Sequence, residues 1–260
     1  MSSIGVFDSG VGGLTVAAAL QQALPRESIL YLGDTARLPY GSKSEDTVTR
    51  YTRRNIDFLE ARRVKAVVVA CNTASALALP HIQSPLPLFG VIEPGAREAA
   101  RVSRGRVGVI ATESTVRSDA YATAIRSFAP NLTVRSVACP LFVPLVEEGW
   151  HEDPVTTEIA RRYLEPLLEE GIDTLVLGCT HYPLLRPLLQ EIAGEEIRLI
   201  DSAEAVAAQV AAAMERDGLL AAHGSEASHF CLTDGNSPFR RLARAILGRD
   251  DLSFELVDVS

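Results

Sequence analysis

The sequence predicts an α/β protein: two similar lobes with parallel-rich sheets, related by a pseudo-two-fold axis, with the functional cleft between them. Three observations carry this reading. Short β-branched runs alternate with longer stretches of helical character, the two halves repeat at a near-constant offset, and 260 residues at 47% hydrophobic content suffice for two packed cores. The strand-like runs are IGVF from Ile4, ILYL from Ile29, AVVVA from Ala66, LFGV from Leu88, VGVI from Val107, TVRSV from Thr133, TLVL from Thr174, IRLI from Ile197 and HFCL from His229. Between the second and third runs a helix is expected. Ser44 caps it, Glu45 and Asp46 occupy its first turn, Arg53, Arg54, Arg62 and Arg63 lie towards its end, and Val48, Tyr51, Phe58 and Leu59 form its buried stripe. A second helix is expected from Pro154 to Glu170, ending at Gly171, with Pro166 as a kink in its last turn. A third starts at Ala203.

The repeat sets the domain organisation. IGVFDS at Ile4 answers VGVIAT at Val107, YLGD ending at Asp34 answers SVAC ending at Cys139, and CNT at Cys71 answers CTH at Cys179, with offsets of about 103, 105 and 108 residues. The chain is expected to cross between lobes near Ile92 to Gly95 and to return near Asp201 and Ser202. This gives a discontinuous lobe of residues 1–94 plus 204–260 and a continuous one of residues 95–203. Hinge motion between the lobes follows, because closure must exclude water and release must readmit it.

Composition narrows the function. A formal charge of −8 without a basic run interleaved with aromatics argues against nucleic acid as a partner. No leader-like start and no window of about eighteen apolar residues point to a membrane, so a cytoplasmic protein is expected. The four cysteines are far apart, as free thiols rather than a disulfide framework. Cys139 and Cys231 read as small buried hydrophobes. Cys71 and Cys179 differ from them: each ends an apolar run, where an open α/β sheet meets its ligand crevice, and each is followed by polar residues. Two thiols on opposite faces of a small ligand suit inversion of a carbon that carries hydrogen, since one face needs a base and the other an acid. Asn72, Thr73, Thr180 and His181 follow the two cysteines, where backbone N–H groups at a helix start can hold a carboxylate, and Ser9 and Gly10 are placed similarly.

FDSGVGGLT at Phe7, LPYG at Leu38, ACNTAS at Ala70, EEG at Glu147 and GCTHYP at Gly178 occur in the order and spacing of a known group, and on these motifs the chain resembles the glutamate racemases of the aspartate/glutamate racemase family. The resemblance covers nearly the whole chain. It implies interconversion of L- and D-glutamate by Cys71 and Cys179 without pyridoxal phosphate or metal, supplying D-glutamate for peptidoglycan. It further implies that Asp8, Ser9, Tyr40, Gly41, Asn72, Thr73, Thr180 and His181 contact the substrate, that Asp8 and His181 assist proton transfer, and that Glu147 orients the histidine. Thr112 and Thr115 in IATEST are added as carboxylate contacts, and Asp34 as a supporting residue. A homodimer is expected from the group's habit. Some members carry an amino-terminal extension tied to activation by a cell-wall precursor; with the first strand at Ile4, constitutive activity is expected here.

Other readings compete. GVGG after the first strand lacks the G-x-G-x-x-G spacing of a dinucleotide site. A cysteine hydrolase built on Cys179 and His181 leaves Cys71 idle, and Cys71, Cys179 and His181 lack zinc-ligand spacing. An aspartate racemase of the same family and a non-catalytic amino-acid-binding protein remain the alternatives. His81, His151, His223 and His229 have no motif around them.

Overall fold

Every predicted run forms a strand in the computed structural model, which describes residues 2–222, 227–235, 237–249 and 251–259; His223 lies outside them. In chain order the elements are β1 Ile4–Asp8, α1 Leu14–Ala23, β2 Ile29–Gly33, α2 Glu45–Ala61, β3 Ala66–Val69, α3 Asn72–Leu77, β4 Leu88–Gly90 and α4 Ile92–Val102. Then follow β5 Arg106–Ala111, α5 Glu113–Arg117, α6 Ala120–Phe128, β6 Thr133–Ala138, α7 Phe142–Glu147, α8 Pro154–Glu169, β7 Thr174–Gly178, α9 Arg186–Ala193 and β8 Arg198–Ile200. The chain continues through α10 Ala203–Arg216, β9 His229–Leu232, α11 Ser237–Leu247 and β10 Glu255–Leu256. Short 3-10 turns, among them Thr35–Arg37 and Tyr40–Ser42, link several of these.

Among the described residues the strands form two parallel sheets, ordered β10-β9-β2-β1-β3-β4 and β6-β5-β7-β8. The four strands β2-β1-β3-β4 of the first sheet and the whole of the second share one winding. The repeat reaches single hydrogen bonds: Asp34 N–H donates to Asp8 C=O at 2.9 Å, and at the matching place Cys139 N–H donates to Ala111 C=O at 2.8 Å. β1, β3 and β7 are buried along their full length, which accounts for their continuous apolar runs.

One core face of the first sheet packs α1 and α10 through Leu14, Leu20, Val206 and Val210, and the other packs α2 through Val48, Ile56 and Leu59. Phe142, Leu164 and Leu189 cover one face of the second sheet, and Ile92, Ala96, Tyr121 and Ile125 the other. Val91 belongs to a core of the first sheet and Ile92 to one of the second, while Ala203 packs back with the first. No helix of the described residues is long and apolar enough to cross a membrane.

Two helices show what local sequence determines. α8 is capped by Asp153, whose Oδ1 accepts from Val155 N–H at 2.8 Å, and runs unbroken through Pro166 to Glu169. It ends where expected. Gly171 at φ 67° donates its N–H to Leu168 C=O, and Ile172 donates to Leu167 C=O, so a left-handed residue closes the last turn. α2 starts as expected, with Ser44 Oγ accepting from Thr47 N–H, but its buried face departs from the predicted stripe. Val48 and Leu59 are buried, joined by Thr52, Asn55 and Ile56, whereas Tyr51 and Phe58 lie half-buried at the margin. The reason is polar: Asn55 is drawn inward by buried partners described below, and guanidinium groups cover the marginal rings. Arg37 sits 4.8 Å from the Tyr51 centroid and Arg62 4.7 Å from that of Phe58.

Candidate active site

Strands β1, β3, β5 and β7 end side by side in their sheets, and the residues just past those ends carry the polar chemistry. β1 delivers Asp8 and Ser9, β3 delivers Cys71 to Thr73 at the start of α3, β5 delivers Thr112 and Thr115, and β7 delivers Cys179 to His181. All of them are at least nine-tenths buried.

Cys71 Sγ lies 3.6 Å from Ser9 Oγ, and Cys179 Sγ lies 3.9 Å from His181 Nδ1. The two sulfurs therefore sit in unlike electrostatic settings. Burial, reinforced by the Asp8 carboxylate, pushes the Cys71 thiol up to about 12, against the opposing help of Ala74 N–H and the Ser9 hydroxyl. Beside Cys179 stands a histidine whose other nitrogen, Nε2, is 3.1 Å from Glu147 Oε1. Burial alone would push the His181 ring down, but its bonds to Cys179 and Glu147 outweigh it and raise the ring to about 10. An imidazolium beside Cys179 is the counter-ion a thiolate needs.

Asp8 is fully buried. Gly10 N–H donates to its Oδ2 at 3.0 Å and the Thr180 hydroxyl to its Oδ1 at 3.3 Å. Burial raises its carboxyl above the usual range, with His181 and the hydrogen bonds pulling the other way. Thr73, Thr112 and Thr115 bring three hydroxyls within 3.0–3.2 Å of one another from both sheets. Asn72 Oδ1 accepts from the Tyr121 hydroxyl at 2.6 Å. Gly41 rests against Thr112 of the other lobe.

Tyr40 is placed differently from a free ligand contact. Its hydroxyl donates to Asp34 Oδ2 and accepts from Asn55 Nδ2 at 3.0 Å, and Asp34 is also bonded by Arg37 at 2.8 Å and Thr233 at 3.1 Å. The phenol is thus committed to a buried network that holds the 38–42 loop. A cavity of about 210 Å³, lined by Gly10, Val11, Leu38, Glu147, Glu148, Phe239 and Leu242 among others, borders this site. Among the described residues no three His, Cys, Asp or Glu side chains are arranged to hold a metal ion.

Several residues around the site escaped sequence reasoning. Tyr31 donates to Gly10 C=O at 2.7 Å, Asn55 and Tyr121 hold Tyr40 and Asn72, and Arg241 of α11 donates to Glu147 C=O at 2.9 Å. The one available signal was that a tyrosine in a buried strand or stripe must find a partner for its hydroxyl.

The state of His181 gives a direct expectation. Charge on the ring stabilises the fold fully below its ordinary value of 6.5, and that contribution is lost as pH rises towards about 10. Glu147→Gln removes one of the two groups that raise the ring, so its titration, followed by NMR of the imidazole carbons, moves to lower pH. An unchanged titration would show that Glu147 does not hold the histidine.

Comparison with known proteins agrees with the geometry. The family described as Asp/Glu/Hydantoin racemase matches residues 9–210. The chain is 53% identical to a glutamate racemase of Geobacter metallireducens over 250 residues, covering 95% of this chain and 93% of that protein. It is similar to the crystal structure of a glutamate racemase from Bacillus anthracis, with TM-score 0.94, 41% identity and coverage of 99% and 97% of the two chains. A Francisella tularensis glutamate racemase solved in complex with D-glutamate matches with TM-score 0.93, 36% identity and coverage of 99% and 98%.

Proposed function

The chain belongs to the Asp/Glu/Hydantoin racemase family, and from that premise we infer that it is a glutamate racemase, interconverting L- and D-glutamate and supplying the D-isomer for peptidoglycan. The observation that carries the chemistry is the pair of buried cysteines at matching strand ends of the two lobes, one 3.6 Å from the Ser9 hydroxyl and the other 3.9 Å from His181 Nδ1.

We assign the roles as follows. Glutamate lies between Cys71 and Cys179, with its ammonium towards Asp8 and its carboxylates on donors drawn from Ser9, the loop at Tyr40 and Gly41, Asn72, Thr73, Thr112, Thr115 and Thr180. One cysteine, as thiolate, takes the α-proton; the C–H electron pair stays on the α-carbon, and the opposite thiol delivers its proton to the other face. The stereocentre inverts and the two sulfurs exchange protonation states. The unequal settings suit this division, since a thiol held near 12 is an acid that keeps its proton until a carbanion forms, and His181 is a counter-ion at the other sulfur. His181 and Asp8 assist, and Glu147 keeps the ring in place. An α-proton beside a carboxylate is far less acidic than a thiol, and every tenfold in rate requires about 1.4 kcal/mol of transition-state stabilisation. Fixed donors in a site closed to water supply it.

We place the lobe boundaries between Val91 and Ile92 and between Ser202 and Ala203, close to the expected 94/95 and 203/204, on the core each residue joins. Cytoplasmic residence and a homodimer complete the proposal, and sedimentation checks the latter.

The test is incubation with L-glutamate in deuterated water, following optical rotation and the α-proton signal, with L-aspartate in parallel. Decay of both signals with glutamate is expected. Reaction of aspartate alone would transfer the assignment to aspartate racemisation, and reaction of neither would leave an amino-acid-binding protein.

A further inference from the structure

Tyr121, on α6, touches the site from a direction the mechanism above does not use. Its ring is 2% exposed, and its hydroxyl donates to Asn72 Oδ1 at 2.6 Å across the lobe interface, in the residue that follows Cys71. Ser202, where the chain returns to the first lobe, is close by: a Cβ built on Gly95 would stand 3.2 Å from Ser202 Cβ and 3.5 Å from the Tyr121 oxygen. The ring also lies against Gly178, the residue before Cys179, so closely that a Cβ there would stand 3.0 Å from Tyr121 Cε2 and 2.9 Å from Ile110 C=O. Gly95, in the first turn of α4, is on its other side, where a Cβ would be 3.4 Å from the ring. One side chain therefore meets both cysteine segments and both places where the chain changes lobe.

A carboxamide has an acceptor edge and a donor edge, and only the donor edge suits a carboxylate. An amide oxygen only accepts, so the Tyr121 hydroxyl gives its proton to Asn72 Oδ1. With the acceptor edge engaged, the Nδ2 edge is the one left for a ligand. We propose that Tyr121 is a positioning residue of the racemase: its hydroxyl fixes the Asn72 carboxamide with its donor edge towards the substrate carboxylate, and does so only when the lobes are closed. The inference rests on the reading of Asn72 as a substrate contact.

The experiment measures KM and kcat for both enantiomers in Tyr121→Phe, Asn72→Ala and the double variant. Tyr121→Phe keeps the ring and loses only the hydroxyl. KM is expected to rise roughly tenfold with a smaller change in kcat, and the double variant to be no worse than Asn72→Ala alone. Asn72→Asp keeps the acceptor for Tyr121 but removes the donor edge, so it raises KM in the same direction and serves if the tyrosine variant fails to fold; a wild-type KM in it would overturn the donor-edge reading. If Asn72→Ala leaves KM unchanged, the substrate role of Asn72 fails and the positioning role of Tyr121 with it. If Asn72→Ala raises KM while Tyr121→Phe matches wild type, or if the two losses multiply, the role of Asn72 stands and that of Tyr121 is overturned.

Discussion

Cys71→Ser and Cys179→Ser each lower racemisation by at least about 10³-fold in both directions, equivalent to roughly 4 kcal/mol of lost transition-state stabilisation. The symmetry of the loss follows from the chemistry. Each turnover uses one sulfur as base and the other as acid, so neither direction can spare either. Serine preserves the shape and the hydrogen-bonding position, as at the contact of Cys71 with Ser9, but its hydroxyl is a far weaker acid and cannot supply a thiolate-like base at neutral pH. The charge environment sharpens the case at Cys179. His181, raised to about 10, is a preformed positive partner for sulfur, and a neutral hydroxyl gains little from it. The measurement is the initial rate of circular dichroism change from each enantiomer, with near-UV spectra as the control for folding. Retention of near-normal rate in either variant would sink the two-base mechanism.

The lobe architecture was legible because its determinants are local or periodic. Fully buried parallel strands read as continuous apolar runs, and the residues just past their ends stand out by their polarity, as CNT and CTH do. Ser44 and Gly171 act within a turn of their own position, so the starts and stops of α2 and α8 follow from a few letters. What escaped were polar residues outside the motifs whose partners are distant in sequence. Asn55 looks like a solvated position on α2, yet it is buried because Asp34 and Tyr40, from another segment, bond to it. Tyr121 reads as a core aromatic, and its bond to Asn72 exists only once two lobes meet. The same blindness misplaced the buried stripe of α2, since apolar periodicity counts Tyr51 and Phe58 as inward and takes no account of arginines that shield them from outside. The two-residue β10 carries too little pattern to be read at all.

Gly12→Ala should separate catalysis from folding, and its neighbour Gly13 provides the contrast. A Cβ on Gly12 would stand 2.5 Å from Thr180 Oγ1 and 2.6 Å from the Thr180 carbonyl carbon. Backbone cannot yield by that amount, so something larger must move. Gly12 belongs to the first lobe and Thr180 follows β7 in the second, and the cores beneath them do not share residues. The cheapest relief is for the lobes to part. Parting by about 1 Å draws Thr180 away from Asp8 and the two cysteines away from each other, and misplacement of that size costs on the order of 10²-fold in rate. The melting temperature changes little, because each lobe keeps its own core. A Cβ on Gly13, by contrast, would stand 2.4 Å from Asp8 Cβ and 3.1 Å from the Tyr31 hydroxyl, both within the first lobe. That clash has no hinge to relieve it, so Gly13→Ala lowers the melting temperature as well as the rate. Calorimetry and turnover on the two variants decide the matter: wild-type turnover in Gly12→Ala would mean that the tight approach of Gly12 to Thr180 is no part of the catalytic state, and equal thermal destabilisation of both variants would mean that the lobes do not move as separate bodies.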